Sequence, residues 1–335
     1  MSSENDAASH LRRGQQLARV CASQGERARV ILDGAELSAV VAGAVIYAAD
    51  SATDLPATGD WVAVRRVEPE LALIEQVLPR RSKIARRAAG RRNEEQVLAA
   101  NVDLALIVCG LDGDFNIRRL ERYLAIAKEG GVEPVIVLNK ADVCTGADAA
   151  LDEARRTTRA AKALAISART GLGCEAIDGL LGPGVTAVLL GSSGAGKSTL
   201  LNRIAGGDVH KTASVRESDA RGRHTTTARE LIELPCGGAL IDTPGLREIQ
   251  LWGAGESIAA VFDDIAELAA QCRFGDCTHS AEPGCAVRGA VDAGRLDSFH
   301  KLRREADRVS GLLTEKQRWR SVHKAARQFY KIRGR

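Results

Sequence analysis

Residues 186–199, TAVLLGSSGAGKST, run an apolar stretch straight into a glycine-rich turn and then into the helix-like segment TLLNRIAG. Few sequence features limit a fold so tightly. Gly191 to Ser198 fits G-x4-G-K-[ST] between a strand and a helix, the setting in which that pattern carries meaning. Glycines let backbone N–H groups curl around phosphates where side chains would collide, and the helix N-terminus adds partial positive charge. Gly191, Ser192, Ser193, Gly194, Ala195, Gly196, Lys197, Ser198 and Thr199 are therefore expected to cradle a nucleotide's phosphates. Lys197 is expected at the β- and γ-phosphates as a catalytic charge stabiliser, and the Ser198 hydroxyl on Mg²⁺. Such a turn needs a buried sheet beneath it. The continuous apolar runs VDLALIVCG (102–110), VEPVIVLNK (132–140) and ALAISA (163–168) supply further strands. Helical stretches between them (IRRLERYLAIAKEGG and residues 147–162) make the alternation that of an α/β sheet covered on both faces.

Leu240-Ile241-Asp242-Thr243-Pro244-Gly245 follows about fifty residues after the phosphate turn. Asp242 ends an apolar strand and can hold magnesium through water, and the Gly245 N–H can sense a γ-phosphate. Between the two motifs lies Gly222-Arg223-His224-Thr225-Thr226-Thr227, where a nucleotide switch places a threonine on Mg²⁺. Thr225 is the expected ligand, with adjacent Thr226 as the alternative. Leu246 occupies the position where a water-orienting glutamine is common, and its side chain cannot hydrogen-bond water.

Asn139-Lys140-Ala141-Asp142 raises a question of order. Asp142 can accept from N1–H and the 2-amino group of guanine, a donor pair adenine lacks, so the nucleotide is expected to be GTP. Asn139 would brace the loop and Lys140 would lay its stem over the base. Ser167-Ala168 would offer a backbone N–H to the C6 oxygen. This base-reading half precedes the phosphate half, the reverse of the usual order. Domain termini often lie close in space, so joining them and cutting elsewhere preserves contacts. The expectation is a circularly permuted sheet with one shared pocket.

Around that core the chain reads as multidomain α/β. Residues 1–14 look like a disordered tip. ARV (18–20), RARVILD (27–33), ELSAVVAGAVIY (36–47), GDWVAVRRV (59–67) and LALIEQVL (71–78) are short strands suited to an OB-type β-barrel over 15–80. Residues 81–96 read as a basic linker, 97–249 as the permuted domain and 250–335 as a C-terminal domain. The formal charge of +4 hides an asymmetry: residues 300–335 hold twelve Lys/Arg against three acids, so the rest is net negative. A basic tail on an acidic body suits a polyanion, and structured RNA read through shape and backbone fits best. Leu302, Ala306, Val309 and Leu313, then Trp319, Val322, Ala326 and Phe329, recur at helical spacing there. No apolar run approaches the roughly 18 residues that cross a bilayer. The polar, acid-bearing start is not a secretory signal, so a cytoplasmic monomer is expected.

Of eight cysteines, five are scattered as reduced thiols would be, Cys236 expected among the buried ones. Cys272, Cys277 and Cys285 cluster with His279 within fourteen residues. Three thiolates and an imidazole form a closed structural zinc set with no position left for catalysis.

Taken together, GDWVAV, AAGRRNEEQVLAANVD, GDFNIRRLERYL, NKAD, GSSGAGKSTLLN, GRHTTT, DTPG and the cysteine cluster resemble one family over nearly the whole chain. It is the circularly permuted, small-ribosomal-subunit-dependent GTPases of bacteria (RsgA/YjeQ type). The resemblance implies an OB barrel, a permuted P-loop GTPase domain and a zinc-binding helical domain. It implies GTP hydrolysis stimulated by the small (30S) ribosomal subunit and its rRNA, in late maturation of that subunit. It also points to His224 as the group that orients the attacking water, against the rival view of a solvent- or RNA-facing switch residue. Two other function classes stand beside this: an rRNA-binding assembly module using GTP as a regulatory ligand, and a DNA-associated zinc protein.

Overall fold

The computed structural model describes residues 3–88, 94–159, 162–207, 229–243, 252 and 255–311. His224, Thr225, Thr226, Gly245, Leu246 and the helical pattern from Leu313 to Phe329 lie outside them. The chain divides into two compact units; the described residues up to Thr243 belong to the first and those from 252 onward to the second.

The first unit opens with α1 (Ser3–Ala8), β1 (Gln16–Gln24), β2 (Arg27–Leu32), β3 (Ala35–Val41), α2 (Gly43–Ala48), β4 (Trp61–Glu68) and β5 (Leu71–Val77). Period-2 alternation turns Val30 and Leu32, Leu37, Ala39 and Val41, Val62 and Val64, and Ala72 and Ile74 onto one buried cluster. The strands close as a barrel in the order β1-β2-β3-β5-β4, with β1 antiparallel to β4 and β3 parallel to β5.

Three sequence expectations change here. The run ELSAVVAGAVIY is strand only to Val41 and then turns into α2, whose Val45 and Ile46 pack on the barrel core. The N-terminal tip is not structureless. Residues 3–8 are helical, and Ala7 is buried beside Ala63 and Leu78 with Leu11, Leu17 and Trp61 against them. The basic linker is in part a hairpin: β6 (Lys83–Arg87) pairs antiparallel with β7 (Glu95–Ala100). Ile84, Leu98, Ala99 and Ala100 within it are fully buried, which the density of arginines masks in the sequence. Much of the charge is also spoken for. Arg81 pairs with Asp103 at 2.7 Å and Lys83 with Glu95 at 2.5 Å. Arg80 grips the fully buried Asp60 with two bonds of 2.7 Å, and also donates to the carbonyls of Thr53 and Leu55.

The sheet follows: β8 (Leu104–Gly110), α3 (Ile117–Glu129), β9 (Glu133–Asn139), α4 (Ala147–Thr158), β10 (Lys162–Ala165), α5 (Glu175–Asp178), β11 (Thr186–Gly191), α6 (Lys197–Ala205), β12 (Glu230–Glu233) and β13 (Ala239–Asp242). Its order is β10-β9-β8-β11-β13-β12, parallel except for the antiparallel edge strand β12. The base-reading strands β8–β10 thus form one flank and the phosphate-bearing strands the other, joined at β8–β11. Leu106, Val108, Val137, Leu189, Leu200 and Leu201 are among the residues of its core.

Barrel and sheet are stitched together within this unit. Arg19 donates to Thr186 Oγ1 at 2.7 Å and to the Asn101 carbonyl at 3.3 Å. Arg29 bridges Glu36 on its own barrel and Glu230 on β12. The Thr58 hydroxyl donates to the Arg229 carbonyl.

In the second unit, α7 (Gly255–Val261) and α8 (Asp263–Ala269) precede the cysteine loop, and residues 293–311 are helical. Phe262 is fully buried and meets Phe299 edge-on at 5.5 Å. Arg295, 7% exposed, lies 4.7 Å over the Phe262 ring and holds both oxygens of Asp264 at 2.7 Å. Leu302, Ala306 and Val309 are buried as their spacing predicts. No helix among the described residues is long and apolar enough to cross a membrane.

Candidate nucleotide site and metal cluster

β11 delivers Gly191 to the turn and α6 begins at Lys197. Gly196, at φ 91°, caps α6, and a Cβ there would lie 2.2 Å from Asn139 Nδ2. Only glycine satisfies both the left-handed backbone and that approach. Lys197 Nζ donates to the carbonyls of Gly191 (2.8 Å) and Ser192 (2.6 Å), so it is already folded over the turn. Burial draws its pKa below the ordinary lysine range, while Asp242 and Asp114 act in the opposite direction. Ser198 is exposed at the open face of the turn, and Asp242 is buried at the end of β13. Nothing in the local sequence marks Asp114 as a neighbour of this turn. It accepts from the Ser192 hydroxyl and from Arg119, and only the fold brings residues 114 and 192 together.

Across the turn sits the base-reading half. Asn139, 2% exposed, ends β9. Its Nδ2 donates to the Ala195 carbonyl at 2.9 Å, and its Oδ1 accepts from the Ala168 N–H at 2.9 Å. One side chain thus fastens all three loops. It also changes an expectation: of the two backbone N–H groups that Ser167-Ala168 could offer to the purine's C6 oxygen, that of Ala168 is engaged by Asn139 and that of Ser167 by the Leu172 carbonyl. Lys140, at φ 67°, lines the cavity and pairs its ammonium with Asp112. The Ala141 N–H donates to the Ile166 carbonyl at 2.9 Å. The Asp142 side chain is 13% exposed and meets Arg169 Nη2 at 2.7 Å. The Ser167 hydroxyl first, and Arg169 after it, hold the Asp142 carboxyl below the usual carboxylate range. The group is therefore an acceptor at neutral pH.

These residues enclose a cavity of about 330 Å³ whose lining includes Asn139, Asp142, Ser167, Ala168, Gly196 and Thr199. Residues from both halves of the permuted order line one space. A larger cleft of about 540 Å³ opens between barrel and sheet at Arg19, Trp61 and Thr186. Thr186 starts the strand whose far end, Gly191, carries the phosphate turn, so this cleft lies away from the turn.

In the second unit the ligand atoms of Cys272, Cys277, His279 and Cys285 all lie within 4.8 Å of one another. His279 Nδ1 is 3.6 Å from both Cys272 Sγ and Cys285 Sγ, and those sulfurs are 4.0 Å apart. A tetrahedron with Zn–S of about 2.3 Å and Zn–N of about 2.0 Å has edges of roughly 3.5 Å (S···N) and 3.8 Å (S···S). The fit is close. The Ala286 and Arg288 N–H groups donate to Cys272 and Cys285 sulfur at 3.4 Å, as a thiolate site requires. Glu282 ties the loop, accepting from the N–H groups of Thr278, Ser280 and Ala281 and from the Thr278 hydroxyl. These bonds, with the Thr278 hydroxyl foremost, hold its carboxyl down at about 2. Cys236, expected to be buried, is exposed, because it occupies the turn between β12 and β13 rather than a strand.

A phosphate turn on a parallel sheet, an Asn-Lys-x-Asp loop facing it and an order that begins with the base half define a circularly permuted P-loop GTPase. The description "RsgA GTPase" fits a family model matched over residues 77–252. A relative from Opitutus terrae, named small ribosomal subunit biogenesis GTPase RsgA, is 48% identical over 321 residues, covering 90% of this chain and 88% of its own. One of that name from Xanthomonas axonopodis pv. citri is 51% identical over 257 residues, covering 74% and 69%. The chain belongs to the RsgA GTPase family and is thus a GTP hydrolase, working on GTP with Mg²⁺. Two solved structures agree in fold. YjeQ from Thermotoga maritima has a TM-score of 0.64 at 24% identity, covering 87% of this chain and 98% of its own. YloQ, described as a circularly permuted GTPase, has 0.61 at 19%, covering 89% and 97%.

Proposed function

We propose that this GTPase acts in biogenesis of the small (30S) ribosomal subunit, binding that subunit and its rRNA and hydrolysing GTP faster when docked. The partner is the one in the names of its relatives. The basic excess of residues 300–335 fits a polyanionic surface of that kind. The protein works as a cytoplasmic monomer.

The observation that carries the nucleotide part is Asn139, bonded at once to Ala195 and Ala168. It supports a single nucleotide site with Asn139, Lys140, Ala141, Asp142, Ser167 and Ala168 on one side and residues 191–199 on the other. The ionised Asp142 accepts from guanine N1–H and the 2-amino group. Lys197 exchanges its two carbonyl partners for phosphate oxygens and follows the charge as it moves to the leaving group. Magnesium, when bound with GTP, neutralises charge on the β- and γ-phosphates. Ser198 and Asp242 would hold it, with Thr225 by its place in the sequence, and Gly245 would sense the γ-phosphate. His224 orients the attacking water when the protein is docked, supplying what Leu246 lacks. Cys272, Cys277, His279 and Cys285 hold one structural zinc, whose part is to fix the loop.

GTP turnover tests this as purified small subunits are titrated in, for wild type, Lys197→Ala and His224→Ala. Wild type should accelerate strongly. Lys197→Ala should lose turnover, and His224→Ala should lose only stimulated turnover while keeping GTP affinity. A wild-type rate indifferent to subunits would refute the partner.

A further inference from the structure

Arg203 links the phosphate helix directly to the base-reading loop through two hydrogen bonds. It stands on α6, which begins with Lys197. Its Nε donates to the Ala168 carbonyl at 2.6 Å and its Nη2 to the Arg169 carbonyl at 3.1 Å. The guanidinium lies against Gly171, at φ 93°, where a Cβ would come within 2.9 Å of Nη1. The loop has thus left room for this group. A planar fork suits two successive carbonyls in a way an ammonium cannot.

The consequence concerns the donor meant for the purine's C6 oxygen. The Ala168 N–H is held by Asn139. Every described peptide is trans, so a carbonyl and the N–H of the same peptide point in opposite directions. Pulling the Ala168 carbonyl toward α6 turns the Arg169 N–H away from it. That N–H makes no hydrogen bond among the described residues, and Arg169 lines the base cavity.

We propose that Arg203 is a positioning residue for guanine recognition, orienting the Ala168–Arg169 peptide so that the Arg169 N–H is offered to the C6 oxygen. This rests on the guanine reading of the pocket, and the test separates the two. Displacement of a fluorescent GDP from the full-length protein would be measured with GDP, with IDP and with the diphosphate of 2-aminopurine riboside. IDP keeps the C6 oxygen and lacks the 2-amino group; the 2-aminopurine nucleotide lacks the oxygen. Arg203→Met should weaken GDP and IDP about tenfold each and leave the 2-aminopurine nucleotide within twofold. Arg203→Gln, which can reach one carbonyl, should fall between. If Arg203→Met leaves GDP within twofold, or weakens all three ligands alike at unchanged Tm, the proposal is overturned. The same holds if the variant unfolds and Arg203→Gln leaves GDP unaffected. If wild type binds GDP no better than the 2-aminopurine nucleotide, the guanine pocket itself is refuted.

Discussion

Asn139 and Ala195, fifty-six positions apart, share a 2.9 Å hydrogen bond from side-chain amide to main-chain carbonyl. That bond spans the join created by the permuted order. Asn139→Ala removes it and the bond from Ala168, leaving a carbonyl and an N–H unpaired in a buried place. At about 1–3 kcal/mol for each orphaned group, GDP and GTP affinity should fall at least thirtyfold in a fluorescent-nucleotide titration. A loss under threefold would mean the loops hold together without it.

In the proposed pocket Asp142 is the group that selects the purine. Asp142→Asn exchanges an acceptor for a donor, which suits the C2 carbonyl of xanthine and opposes the 2-amino group of guanine. GTP affinity should drop by about 10²-fold or more, with XTP becoming the preferred ligand. Competition titrations with GTP, ITP and XTP read this directly, and an unchanged order of preference would rule out the assignment.

Arg80 and Asp60 supply a stability test remote from the nucleotide. Asp60 is fully buried and Arg80 is 15% exposed at the side chain. Removing one partner of such a pair strands the other charge, at about 3–5 kcal/mol. Arg80→Met should lower the urea midpoint of the first unit markedly, and Arg80→Met with Asp60→Asn should recover part of it. A double variant no more stable than the single one would argue that Arg80 acts through the Thr53 and Leu55 carbonyls instead.

Metal content tests the cysteine cluster. The purified chain should carry one zinc per molecule by elemental analysis. Cys277→Ser should lower that to near zero, whereas Cys236→Ser should leave it at one. Removing the metal with a strong chelator should also abolish amide protection between residues 272 and 286, since binding and folding are coupled in such loops.

The Glu282 carboxyl supplies a pH dependence. Its folded value of about 2 lies below the ordinary glutamate value of about 4.3. The stabilisation is therefore fully present above about pH 4 and is lost as pH falls toward 2. Protection of the Thr278, Ser280 and Ala281 amides should follow that curve. Glu282→Gln should lower their protection several-fold already at neutral pH. Equal protection in the two proteins would remove Glu282 from the account.

What the sequence makes legible is what local pattern controls. The strands near 104–110, 133–139 and 186–191 and the turn at 191–199 lie where apolar runs and glycines predict them. The same rules fail where distant contacts decide. Residues 43–48 carry no periodicity distinct from the strand before them and become helical against a barrel core built from other segments. Residues 83–87 carry a charge-rich sequence, and their pairing with 95–100 is a choice made between segments. The engagement of the Ala168 N–H by Asn139, and of Asp114 by Ser192, depends on geometry that no spacing encodes. The four zinc-type ligands were visible because their contacts are local.

The place of Asn139 ahead of Ala168 and Ala195 matters while the protein is being made. A growing chain brings out its purine-reading strand first; Ala168 and then Ala195, the partners of that asparagine, emerge after it, and Asp242 comes later still. The proposed site is complete only once the strand that ends at Asp242 has been added. On the site proposed above, a nascent copy has its full set of nucleotide contacts only when nearly three-quarters of its length, about 242 of 335 residues, has emerged.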